Sequence, residues 1–344
     1  MNTLCFPQQG SNMSVSKLSL SLILCTAASA VTFSFAAETP SIDKVVNTTA
    51  KPILDKAQAG FFRMKIGAID VVALSDGSLP FALEGLTLND KPGELEKLLA
   101  FRYEKSPITS SFNSYLLHIG DRWVLIDSGS SNLFGTSTGK LPDALKNAGV
   151  KPEQITDIFI THLHPDHIGG VTLNGKKVFP NATLHFDERE ITLRKEAEAK
   201  APEPFKPMFK QAEDAVKPYA DSSKVETFKG ATDLLPGLRS QPAYGHTPGH
   251  TFYVLEDGGQ KIVFVGDLIH IPSAQFDDPD VAMKFDFDAA QAIEVRKHLL
   301  ADAAKNGYEI AGAHLPFPGC GHISKDGDHY RWIPVPYVND AITK

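Results

Sequence analysis

Cysteine is scarce in this chain: Cys5, Cys25 and Cys320 are the three in 344 residues. Three thiols cannot build a disulfide framework, so the fold must rest on core packing or on metal. A basic excess is missing as well. Lys and Arg number 34 against 41 Asp and Glu, the net charge is −7, and no five like charges adjoin. Nucleic-acid binders usually carry a basic surface, so that class is disfavoured. Neither an internal repeat nor a low-complexity tract is present. Apolar side chains are plentiful, at 42% of the chain, which supports a full core and excludes global disorder.

Residues 18–31 (LSLSLILCTAASAV) form an apolar run preceded by Lys17 and by no acidic residue. Its roughly 14 residues suit a secretory leader and fall short of a bilayer span. Small residues at Ala28-Ser29-Ala30 and Ser34-Phe35-Ala36 offer cleavage sites. Cleavage near Ala36 is expected, because acidic, Pro-containing sequence starts right after it. Met13 is an alternative start, and bulky Leu24 before Cys25 argues against a lipoprotein signal. Removing residues 1–36 leaves 308 residues with a net charge of −8 and Cys320 as the one thiol. The expected organisation is a signal peptide at 1–36, a linker or N-terminal arm at 37–59 and one domain at 60–344. The protein is expected to be exported, periplasmic or secreted, without stable membrane insertion.

From residue 61 the pattern alternates. Residues 62–67 and 69–74 read as paired strands, and Ser75-Asp76-Gly77 as a turn. Residues 92–105 carry Leu95, Leu98 and Leu99 at helical spacing. Strands are expected at 113–119, 123–127, 155–160, 252–255, 261–265 and 310–313. Helices are expected at 141–148, with Gly149 as C-cap, and at 288–304, with Asp288 as N-cap and Gly307 past its end. Residues 188–220 are charged, helical and broken by Pro202, Pro204, Pro207 and Pro218, which reads as an insertion lying over a site. The sum is an α/β chain of two sheets with helices outside and ligand loops along one edge.

The segment His162-Leu163-His164-Pro165-Asp166-His167 sets four metal-competent side chains in six residues, straight after an apolar strand. Imidazole and carboxylate suit zinc and similar divalent ions. In a tight turn the first two histidines point one way, and Asp166 and His167 another, so one loop can feed two adjacent ions. Gly169-Gly170 lets the backbone pass close behind. A second histidine turn follows at Gly245-His246-Thr247-Pro248-Gly249-His250-Thr251. Asp267 and His314 each end a further apolar strand. Taken singly, Asp267 reads equally as a helix cap and His314 as a core histidine. Together they favour metal, because isolated buried carboxylates are costly.

This order of motifs resembles the metallo-β-lactamase superfamily. The phrases Ala73-Leu74-Ser75-Asp76-Gly77, His164-Pro165-Asp166-His167, Gln275-Phe276-Asp277-Asp278-Pro279 and His314-Leu315-Pro316-Phe317-Pro318-Gly319 resemble its methyl parathion hydrolase branch, near the quorum-quenching and aromatic lactonases. The resemblance implies an αββα four-layer sandwich holding two divalent metal ions, zinc first, with manganese, cobalt or iron as alternatives. It assigns His162, His164 and His246 to one ion, Asp166, His167 and His314 to the other, and Asp267 to both, with a bridging hydroxide as nucleophile. His250 is expected to support the site from behind. Relatives in the branch make a homodimer the expected assembly.

Lactonases of the superfamily often carry tyrosine three residues past the bridging aspartate, whereas this chain has His270. His270 is a candidate proton donor or a pocket cap. The triester specialists carry an aliphatic there, so His270, with bulky Phe285 nearby in sequence, argues against efficient phosphotriester cleavage. Phe134, Phe205, Phe209 and Phe285 are candidate pocket walls, each equally able to be ordinary core. The expected activity is opening of lactones and cleavage of aryl or alkyl esters of low charge, with phosphotriester hydrolysis as the alternative. β-Lactam hydrolysis is disfavoured by the lack of a cysteine near the second metal. A glyoxalase-II-like thioesterase is disfavoured by the few basic residues, Lys325, Arg331 and Lys344, after position 320.

Overall fold

The computed structural model describes residues 57–339. The leader expected at 1–36, most of the arm at 37–59, and Cys5 and Cys25 lie outside the described residues. No helix among the described residues is long and apolar enough to cross a membrane.

Two seven-stranded sheets are laid down one after the other. The first runs, in spatial and chain order, β1 (Phe61–Ile66), β2 (Ile69–Phe81), β3 (Ile108–Ile119), β4 (Arg122–Ile126), β5 (Ile155–Phe159), β6 (Thr183–Asp187) and β7 (Val225–Phe228). The second runs β8 (Thr232–Leu235), β9 (Leu238–Pro242), β10 (Thr251–Asp257), β11 (Gln260–Gly266), β12 (Glu309–Gly312), β13 (Cys320–Asp326) and β14 (His329–Pro334). Most neighbours are antiparallel. β4, β5, β6 and β7 are mutually parallel, as are β11 and β12, so several strands end at the same edge. The helices are α1 (Glu94–Phe101), α2 (Leu141–Ala148), α3 (Pro165–Ile168), α4 (Arg189–Thr192), α5 (Arg194–Lys200), α6 (Pro207–Ala220), α7 (Pro272–Gln275) and α8 (Ala289–Asn306).

The layering follows from strand parity. Along β2, Val71 and Ala73 point between the sheets, where they meet Tyr253, Leu255 and Phe264 of the second sheet. Val72 and Leu74 point outward, into a cluster with Leu141, Ala144 and Leu145 of α2 and Tyr219 of α6. Behind the second sheet, Val254, Val263 and Ile310 pack on Leu299, Leu300 and Ala303 of α8. Both faces of each sheet are covered, which makes an αββα sandwich and explains why the central strands read as near-continuous apolar runs. Cys320 is buried in the inter-sheet core as a thiol.

One expected turn is not a turn. β2 runs through Ser75-Asp76-Gly77 to Phe81, with its register shifted between Ser75 and Gly77. This β-bulge has Gly77 at φ 127°, and a Cβ there would lie 2.1 Å from the Ser137 carbonyl oxygen. Asp76 turns inward and accepts from the amides of Ser130, Gly139 and Leu141, so the bulge anchors the loop after β4.

Asp157 of β5 gathers Arg122 Nη1 at 3.0 Å, Thr156 Oγ1 at 2.8 Å and His185 Nε2 at 3.0 Å. Burial opposes ionisation, but these hydrogen bonds prevail and bring the carboxyl from 3.8 down to about 2. A carboxyl more acidic folded than unfolded stabilises above its unfolded value and loses that contribution as the pH falls through its folded one. The Asp157→Asn variant should therefore show a flatter loss of stability than the wild type between about pH 4 and pH 2, read from denaturant melts across that range.

Candidate metal centre

The candidate residues gather where β4, β5, β11 and β12 end. The chain leaves β5 through Ile160 and Thr161 into the histidine loop, and Pro165 starts α3 at a position where its missing N–H costs nothing. His246 and His250 come from the turn before β10, Asp267 from the end of β11, and His314 from just past β12. All six histidines and Asp267 are buried or half-buried.

Two donor groups result, one of His162, His164, His246 and Asp267, the other of Asp166, His167, Asp267 and His314. In the first, His164 Nδ1 stands 2.9 Å from His162 Nε2 and 3.0 Å from His246 Nε2. Asp267 Oδ2 is 3.2 Å from His246 Nε2 and 3.7 Å from His162 Nε2. In the second, Asp267 Oδ1 is 2.9 Å from His167 Nε2 and 3.1 Å from His314 Nε2, while Asp166 Oδ2 is 3.4 Å from His314 Nε2. The two oxygens of Asp267 thus face different groups.

The outer ring nitrogens are occupied. His167 Nδ1 lies 2.8 Å from Asp127 Oδ2, His246 Nδ1 lies 2.8 Å from Asp286 Oδ1, and His314 Nδ1 lies 2.9 Å from the Ser111 carbonyl. Such partners fix the ring orientation and leave the inner nitrogen as a lone pair. His167 Nε2 and Asp267 Oδ1 are buried without a hydrogen-bond partner among the described residues. Ring nitrogens and carboxylate oxygens that converge this closely in a buried site are what a cation can satisfy, so the residues present fit a pair of divalent ions.

The electrostatics agree. Burial and the neighbouring His246 push His164 down to about 3, so it offers a neutral nitrogen. Burial works against protonation of His246 too, but hydrogen bonds to Asp267 and Asp286 carry it up to about 9. For His314, burial is likewise overcome by the charge of Asp267 and the hydrogen bond to Asp166, which raise it to about 10. Burial disfavours the charged form of Asp267, yet the facing His167 and His314 hold its carboxyl well below the usual range. The cluster attracts positive charge.

His250 sits behind the first group, its Nδ1 on the Ala243 carbonyl at 3.1 Å and its Nε2 accepting from the Asp267 amide at 3.2 Å. It touches the backbone of Asp267 and joins neither donor group. His270 stands inside, with Nε2 3.0 Å from Asp267 Oδ2, its ring stacked on His314, and Nδ1 buried without a partner among the described residues. Above the centre lies a cavity of about 960 Å³ lined by Asp166, Asp267, His270 and His314 at the floor, and by Phe134, Phe205, Phe209 and Phe285 at the walls. Residues from α4, α5 and α6 roof it. Phe285 is edge-on to both His246 and His270 and meets Phe205 of the roof at 5.3 Å.

Asp127 and Asp286 are functional residues that sequence reasoning missed. Asp127 carries a signal, an acid at the end of an apolar strand followed by Ser128-Gly129-Ser130, and its positive φ of 58° marks a strained position. Asp286, between Phe285 and Phe287, carries none.

An edge of converging imidazoles and acids on an αββα sandwich defines a class, the metal-dependent hydrolases. Residues 111–314 match the metallo-beta-lactamase superfamily. Over 195 residues the chain is 24% identical to an N-acyl homoserine lactonase of Bacillus cereus, covering 51% of this chain and 70% of that one. Among solved structures, hydrolase AbOPH of the beta lactamase superfamily is 35% identical, with 83% of this chain and 100% of that one covered and a TM-score of 0.78. AidC, a dizinc quorum-quenching lactonase in complex with a product, is 29% identical, with 81% and 99% covered and a TM-score of 0.76. The chain belongs to the metallo-beta-lactamase superfamily and is a hydrolase of that superfamily.

Gly170 lets the histidine loop pass against the loop after β4, where a Cβ would meet the Ser128 carbonyl oxygen at 1.8 Å. Gly170→Ala should cost on the order of 1–3 kcal/mol of stability or more, seen as a lowered Tm with the fold retained by circular dichroism.

Proposed function

We propose that the chain opens lactones and cleaves aryl or alkyl esters of low charge with the help of two divalent ions. The observation that carries this reading is the pair of donor groups sharing Asp267 at the floor of a mostly apolar cavity. His162, His164 and His246 would hold one ion, Asp166, His167 and His314 the other, and Asp267 both. Zinc suits this donor set first, with manganese, cobalt or iron as alternatives. Bound there, the ions supply an acidified water and a Lewis-acid hold on the attacked oxygen.

The chain's own residues do the rest. Asp127 and Asp286 keep the rings of His167 and His246 turned inward. The four phenylalanines exclude water and select apolar substituents. His270, anchored through Nε2 on Asp267, lines the cavity floor, where it would act as a proton donor or a pocket cap. The identity of the AbOPH and AidC relatives supports a hydrolase with lactones in its range. Phosphotriesters are the second reading, since the same floor serves them, but His270 and Phe285 take up space beside it. We further take the chain to be exported by its leader and to act as a homodimer on a small substrate rather than on nucleic acid.

Two experiments test this. With zinc-loaded mature chain, kcat/KM should be highest on dihydrocoumarin or an acyl-homoserine lactone, lower on methyl parathion and negligible on nitrocefin. A preference for nitrocefin would overturn the substrate class. His164→Ala and Asp267→Asn should each lower turnover by more than the roughly 10–100-fold typical of outer partners, and near-native rates in either would refute the site.

A further inference from the structure

Glu190 belongs to neither donor group, yet it is 7% exposed on α4, the first helix of the roof. A carboxylate there needs compensation, and three donors supply it. The Leu163 amide donates to Oε2 at 2.8 Å. Thr247 Oγ1 at 2.5 Å and the Gly249 amide at 2.8 Å donate to Oε1. Leu163 sits between His162 and His164, Thr247 follows His246, and Gly249 precedes His250. One oxygen therefore grips the first histidine loop and the other grips the second. Contact is close enough that a Cβ on Gly249 would lie 2.9 Å from Glu190 Cγ. Below the loops, the Thr251 amide donates to the Thr161 carbonyl at 2.9 Å and Tyr253 Oη to the Ile160 carbonyl at 2.7 Å.

We propose that Glu190 is a positioning residue that holds the two histidine loops in register and makes the cavity roof and the first donor group one mechanical unit. The inference rests on the ligand reading of those groups. The chemistry of the clasp is specific: all three partners are donors, and a carboxylate is the side chain with two acceptor oxygens and no donor. Glutamine keeps one oxygen for one loop and turns an N–H₂ against the donors of the other. Alanine releases both loops.

The test uses the full chain loaded with zinc. Zinc loss into excess chelator is followed with a metallochromic indicator, beside the Tm of the metal-free protein and kcat and KM on a lactone. Glu190→Ala should release zinc about 10–100-fold faster than wild type, with Glu190→Gln between them. Glu256→Ala is the control, because Glu256 is an exposed residue of β10 paired with Arg239 and outside the cavity lining, and it should match wild type. If Glu190→Ala and Glu190→Gln lower only the metal-free Tm while zinc leaves at the wild-type rate, Glu190 is merely structural and the proposal falls. Should the alanine variant fail to fold, Glu190→Gln and Thr247→Val carry the same comparison. A wild-type chain that takes up no zinc would overturn the ligand reading itself, a failure visible before any variant is made.

Discussion

One buried carboxylate organises this protein. Asp267 faces His246 and His270 with one oxygen and His167 and His314 with the other. An acid at this depth is tolerable only where positive charge or protons are drawn in to meet it. The imidazoles that surround it do so in two ways: some are held neutral by burial, like His164, and others are pulled towards protonation by the acids, like His314. The two oxygens of Asp267 are so placed that one carboxylate belongs to both donor groups.

The scaffold exists to bring those groups to one line. Strands that run parallel end together, and the loops leaving β4, β5, β11 and β12 deliver Asp127, the histidine loop, Asp267 and His314 to a single edge. Rigidity comes from below, where both faces of each sheet are packed. Orientation comes from the side, through carboxylates and carbonyls that occupy the outer ring nitrogens. The buried Arg296 adds to this from α8, donating to the carbonyls of Leu268, Pro279 and Val281 and so fixing the segment that carries His270.

Chemistry and selection are spatially separated. Charge is concentrated in the floor, which strands hold, whereas the walls are apolar and come partly from the helical roof. The contact of Phe205 with Phe285 and the placement of the Lys200 ammonium over Phe287 join roof to wall. Substrate choice can therefore vary with the roof while the floor stays as it is, which is how one superfamily serves many reactions.

The floor was largely legible in the linear chain. Three histidines and an acid in six residues at a strand end have no structural rationale except ligation, and the second histidine turn with His246 and the apolar strands ending in Asp267 and His314 offered the remaining donors. Alternation and helical spacing marked the central strands and α2 and α8, because burial on both faces leaves a periodic or continuous apolar record. The strands β6 to β9, β13 and β14 went unread, being short, polar at many positions and stabilised by pairing with distant segments. The same holds for the Ser75–Gly77 bulge, which reads locally as a turn. Only the tertiary structure decided that Asp127 and Asp286 meet the outer nitrogens of His167 and His246, that Glu190 bonds to both histidine loops, and that the four phenylalanines share one cavity. A ligand motif is written in consecutive residues because one loop must supply several donors, but the groups that orient it need only meet it in space, and spacing along the chain holds no record of that.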